Sequence, residues 1–237
     1  MTRKIASPAY VIVAIACLIL AGCSDSTKPH PRKCENCLLP RTSPHNVLNN
    51  LRIIYSVADD TVNTPEDAHA LAAKYRELFH PDFKFYFIPG DQPPGFPEGW
   101  WGRDDEVAAF DSLMVDRAAG IVTDVRLSWS PGAVVPDNRM TNPPPPEVPA
   151  LLHPDWMHIN VTSILLDIVT PNTTYRVSNG QADFYFAPDP AETTLWVITE
   201  WYDDPSSGVS PNGVRSRSSG STLLSMTRWG RIKALFR

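Results

Sequence analysis

Between Thr64 and Asp91 the spacing of apolar positions changes period once. Ala68, Leu71, Ala72, Tyr75, Leu78 and Phe79 fall on one face of a helix. Thr64 suits the N-cap, Pro65 the first turn and Asp67 the place of a capping-box acid. His80-Pro81 is expected to stop this helix, because proline disfavours a helical residue before it. Phe83, Phe85 and Phe87 then alternate with Lys84, Tyr86 and Ile88, which predicts a strand with one strongly apolar face. A helical stripe and a strand face of this kind must cover a sheet.

The flanking segments extend the pattern. Ser43-Pro44 opens an earlier helix with Val47, Leu48, Leu51, Ile54 and Tyr55 on one side. A third helix begins near Arg103, where Asp104, Asp105 and Glu106 complement the positive end of the helix. Val107, Phe110, Leu113 and Met114 form its stripe, and Gly120 fits a C-terminal cap. Strands are then predicted at 121–129, 156–170, 173–187, 195–202 and 222–229, with a short apolar tail at 232–236. The proline-rich stretch 131–154, which contains Pro143 to Pro146, cannot enter a central strand and is expected to run over the surface. Ser/Gly-rich 204–220 reads as a mobile loop. Helices first and a strand meander after predict an α+β fold. Three N-terminal helices pack on the concave face of a strongly curved, mostly antiparallel β-sheet.

Charge and cysteines change the picture mainly by exclusion. A net charge of −5 offers no basic stripe, so no nucleic-acid partner is expected. None of the six histidines has HxxxH or HxH spacing, and there is neither a glycine-rich phosphate loop nor a nucleophile elbow. No metal site and no cofactor are expected. His153 and His158 flank Asp155 but read more simply as cap or surface residues.

The N-terminus reads as an address. Arg3 and Lys4 precede an apolar run from Ala9 to Ala21, too short to span a bilayer and of the length of a signal-peptide core. Leu20-Ala21-Gly22-Cys23 resembles a bacterial lipobox. That assigns 1–22 to a lipoprotein signal peptide, lipid attachment to Cys23, and 23–42 to a flexible tether. The expected location is the bacterial cell envelope, anchored to the inner or the outer membrane with the domain extracytoplasmic. An ordinary secretory signal, or an uncleaved anchor, is the alternative. Cys17 falls in the signal. Cys34 and Cys37 form a CxxC whose flanks are linker rather than a strand–helix junction, and no second pair completes a zinc site. A local disulfide is the expected state.

Residues 43–237 resemble the NTF2-like superfamily, the cone-shaped α+β fold that includes SnoaL-like proteins. The resemblance is carried by Tyr75-Arg76-Glu77-Leu78-Phe79-His80-Pro81-Asp82-Phe83, by Trp101 before the third helix and by Gly180 to Phe186. Leu195 to Asp203 and Arg228 to Phe236 complete it. It implies a cone interior that holds either a ligand or an acid–base pair. On these residues the expected function is a ligand- or partner-binding module taking a small apolar ligand or a protein. Trp100, Trp101 and the Pro143–Pro146 loop would lie at the cone mouth. One alternative is a lyase or isomerase with Asp167 or Glu200 as a buried carboxylate base. A bulge that turns Asp167 to solvent is the competing expectation there. The other alternative is an assembly module dimerising through the open sheet face.

Overall fold

The computed structural model describes residues 37–88, 92–141, 150–203, 222–225 and 229–236. The signal peptide, Cys23, Cys34, Pro143 to Pro146 and the 204–220 loop lie outside the described residues, as does most of the tether.

Three helices precede and interleave with the first strands. α1 spans Pro44–Thr61, capped by the Ser43 hydroxyl, which accepts from the Asn46 backbone N–H at 3.2 Å. α2 spans Pro65–Arg76 and carries the expected capping box between Thr64 and Asp67. α3 spans Arg103–Ala118, with the Asp105 carboxylate accepting from the Gly102 N–H at 3.2 Å. It is followed by Gly120 at φ 73°, the left-handed conformation that ends many helices.

The strands form one sheet. β1 is Phe79–Tyr86, β2 Trp100–Gly102, β3 Asp124–Pro131 and β4 Val135–Pro136. β5 is Met157–Val169, β6 Thr173–Pro188, β7 Trp196–Asp203 and β8 Thr222–Ser225. The order is β2-β1-β7-β6-β5-β3, with β4 beside the start of β5 and β8 beside the start of β6. β1–β7 and β6–β8 are parallel and the other pairs antiparallel. A short α4, Trp229–Lys233, and a 3-10 turn at Ala234–Phe236 end the chain. This is the expected α+β cone, with helices lining the inside of a bent, mostly antiparallel sheet.

Several boundaries differ from expectation, each for a local reason. The helix before β1 stops at Arg76, and Phe79 already belongs to the strand. Pro81 therefore sits inside β1, where the pairing with β7 shifts between Phe79 and Lys84, so its missing N–H removes no regular ladder bond. Trp100 and Trp101 lie on β2, a short strand absent from the predicted set. The last predicted strand ends at Ser225, and the chain beyond Trp229 is helical. Two short elements cross the 131–154 stretch, β4 and a bridge between Met140 and Leu151.

Large aromatic side chains fill the cone. Phe83, Phe85, Phe184, Phe186, Trp101 and Trp201 are all buried, joined by Tyr75 and Phe79. Phe85 meets Trp201 edge-on at 5.3 Å, and Tyr75 stacks on Phe110 at 4.1 Å. α4 closes the arrangement. Ile232 is buried, and the Gly230 N–H donates to the Asp203 carboxylate at 3.0 Å. A Cβ on Gly230 would stand 2.8 Å from the Phe87 ring. Gly230→Ala is therefore expected to loosen α4 and lower stability by about 1 kcal/mol through overpacking, measurable as a lower urea midpoint.

Candidate functional site

The centre of the cone holds a carboxylate that the sequence disguises. Glu106 stands in the first turn of α3 beside two other acids, where a helix-dipole role accounts for all three. It also continues the apolar stripe of Phe110 and Leu113 at four- and seven-residue spacing, and the structure follows the stripe. Glu106 is 1% exposed. Its Oε1 accepts from the Tyr75 hydroxyl at 2.5 Å and from the Lys233 ammonium at 2.6 Å. Its Oε2 accepts from the Trp101 indole N–H at 3.0 Å. Four elements, α2, β2, α3 and α4, thus meet at one side chain.

The electrostatics follow from burial. The Lys233 ammonium lies 3.6 Å from the centre of the Trp201 ring and 4.2 Å from that of Phe85. Desolvation lowers its pKa to about 8, outweighing the attraction of Glu106 and Asp203. The hydroxyls of Tyr75 and Tyr55 are pushed well up, first by burial and then by the Glu106 charge. Beside this group, between Tyr55, Phe110, Leu166, Ile168 and Ile232, remains a crevice of about 10 Å³. That is room for about one water molecule.

The residues singled out from sequence lie elsewhere. Ser163 adopts φ 54°, and the β5–β6 register shifts on both sides of Ile164. Ile159 and Val161 face the core before this bulge, and Ile164, Leu166 and Ile168 after it. Asp167 is thereby turned to the outer face, where Arg176 of β6 donates to both its oxygens at 2.6 Å. The expected bulge is present, but Asp167 is paired rather than solvated, and it has no access to the cone. Glu200 is on the outer face as well. It accepts from Arg139 at 2.6 Å and from the Tyr202 hydroxyl at 3.3 Å. Arg139 also binds Asp137 and lies over Tyr185 at 3.7 Å, so Glu200 is the buttress of a strap that crosses the sheet from β4. Neither carboxylate is placed to act as a base inside the cone.

Trp101 is likewise not at a mouth. It is fully buried, its indole spent on Glu106, whereas half-buried Trp100 has the Lys84 ammonium 4.5 Å from its ring centre. Cys37 is disulfide-bonded, to a partner outside the described residues. Among the described residues no cluster of three or more His, Cys, Asp or Glu could hold a metal ion, and no helix is long and apolar enough to cross a membrane.

A second opening is formed by other residues. A groove of about 300 Å³ runs between the ends of α2 and α3 and the turn after β6. Arg41, Arg76 and Arg103 line it together with Glu77 and Asp189, over a floor that includes Phe79, Pro81 and Val197. Arg41 donates to Asp189 at 2.9 Å, and Arg76 pairs with Asp104. No motif announced this groove, because its residues come from five separate segments.

No family model matches the chain, and no curated protein does. Solved structures similar to it include an NTF2-like protein with a cystatin-like fold from Novosphingobium aromaticivorans. That likeness is 14% identical over 88% of this chain and 96% of the other, at a TM-score of 0.39. An NTF2-like superfamily protein from Salmonella enterica is 12% identical over 70% and 99%, at 0.34. The beta subunit of the benzoate 1,2-dioxygenase from Burkholderia mallei is 10% identical over 66% and 88%, at 0.36. Identities this low carry nothing about chemistry from those proteins to this one.

Proposed function

We propose that this chain is a lipid-anchored envelope protein whose globular domain binds a small ligand in the edge groove. In this reading Cys23 carries the lipid and the domain faces away from the cytoplasm. One contrast carries the ligand reading. The crevice beside Glu106 has space for about one water, whereas the groove has about 300 Å³, the lower end of the range for small-molecule sites. A general base must reach the proton it removes. Glu106 is surrounded by three donors and packed rings, so it acts as a tie between helices and sheet. The assembly reading draws less support, because the outer sheet face carries the Asp167–Arg176, Glu200–Arg139 and His158–Asp183 pairs.

Native mass spectrometry of the full chain purified from its own host tests the ligand reading. The wild type is expected to retain a small-molecule adduct and Ala191→Trp, which fills the groove from its rim, to lose it. A wild type without adduct, or an adduct that survives Ala191→Trp, overturns the reading. The anchor is tested separately: Cys23→Ala is expected to leave the detergent phase, and a variant still partitioning with membranes contradicts lipidation at that residue.

A further inference from the structure

We infer that the edge groove grips an oxyanion, a carboxylate or phosphate carried on a short apolar body, and that Arg103 is the residue that holds it. This rests on the groove being the ligand site. Of the three arginines that line the groove, two already have carboxylate partners, Asp189 for Arg41 and Asp104 for Arg76. Arg103 differs. Its Nε is buried and has no hydrogen-bond partner among the described residues.

A buried guanidinium donor without an acceptor is costly, and most such groups in folded proteins are satisfied. The guanidinium fork matches the two oxygens of a carboxylate or phosphate, and such charge-assisted bonds are about twice as strong as neutral ones. Arg103 also occupies the first turn of α3, so the aligned peptides of that helix add to the attraction for an anion. The opposing charge among the lining residues is Glu77, exposed at the end of α2, since Asp189 is held by Arg41. Phe79, Pro81, Pro190 and Val197 give the rest of the groove an apolar surface. A ligand with one anionic head and a few carbons beyond it satisfies both parts.

Calorimetric titration of the full chain with hexanoate, hexyl phosphate, inorganic phosphate and hexanol tests the assignment, with the Arg103 Nε–H resonance followed in parallel. Hexanoate or hexyl phosphate is expected to bind and shift that resonance, and hexanol to do neither. Whichever of the two binds more tightly identifies the head group, and binding of inorganic phosphate shows that the head suffices without the tail. Arg103→Lys is expected to weaken binding about tenfold or more, the size of a charged hydrogen bond. Glu77→Gln, at an exposed position that leaves the fold intact, is expected to tighten it. Equal affinity in wild type, Arg103→Lys and Glu77→Gln, or hexanol binding as well as the anions, overturns the assignment. If Ala191→Trp abolishes the native adduct while Arg103→Lys leaves it, the groove remains the ligand site and only its anion chemistry is refuted.

Discussion

Glu106→Ala is expected to lower the unfolding free energy by about 3–5 kcal/mol, the range for removing one partner of a buried ion pair. The loss arises because three donors lose their acceptor at once. The Lys233 ammonium, 6% exposed and packed over two aromatic rings, loses the carboxylate 2.6 Å away. The Tyr75 hydroxyl and the Trp101 indole N–H each lose their bond to the same carboxylate. The pair itself is a different matter. Replacing both charges with apolar groups of similar volume is often neutral or stabilising. Glu106→Leu combined with Lys233→Met is therefore expected to recover the part of the loss that comes from the Lys233 ammonium, while the Tyr75 and Trp101 donors stay without the Glu106 acceptor. Urea midpoints of wild type, both single variants and the double variant measure the coupling. Additive single effects would mean that the two residues do not act on each other.

Lys233 also makes stability rise with pH in a window where most proteins lose it. The folded chain releases the Lys233 proton near pH 8, against an ordinary value of 10.5. Between these values the unfolded state binds more protons, so stability increases as pH rises. Below pH 8 the lysine is charged in both states and its burial penalty is constant. From about pH 7.5 to about pH 10, the wild type is expected to gain about 2 kcal/mol relative to the Glu106→Leu/Lys233→Met variant, which lacks the Lys233 ammonium. The buried tyrosines, whose ordinary value of 10.0 folding raises, lower stability toward pH 10 in both proteins alike and so cancel in the comparison. Parallel stability curves for the two proteins would refute the desolvation argument.

The frame of this fold is written locally and its centre is not. Thr64 with Asp67, and the alternation of Phe83, Phe85 and Phe87, act through neighbours a few residues away, and both stand in the structure as their spacing predicts. Asp167 could not be placed by counting. A single residue at positive φ, Ser163, reverses which parity of β5 faces inward, and a period-two pattern cannot reveal where it breaks. Trp101 was expected at the cone mouth because β2 is three residues long, shorter than any alternation can signal. Glu106 was concealed by its acidic neighbours, although its position on the Phe110–Leu113 stripe was a usable signal. Its partner Lys233 lies 127 residues along the chain, and no local rule connects the two. The groove is assembled from side chains that only the fold brings together.

The most direct test is a crystal structure of the full chain grown with hexyl phosphate. The account predicts ligand density in the edge groove, its phosphate oxygens within hydrogen-bond distance of Arg103 Nε, and a cone still closed by the Glu106–Lys233 pair. Ligand density inside the cone, between Glu106 and a displaced Ile232, would contradict it.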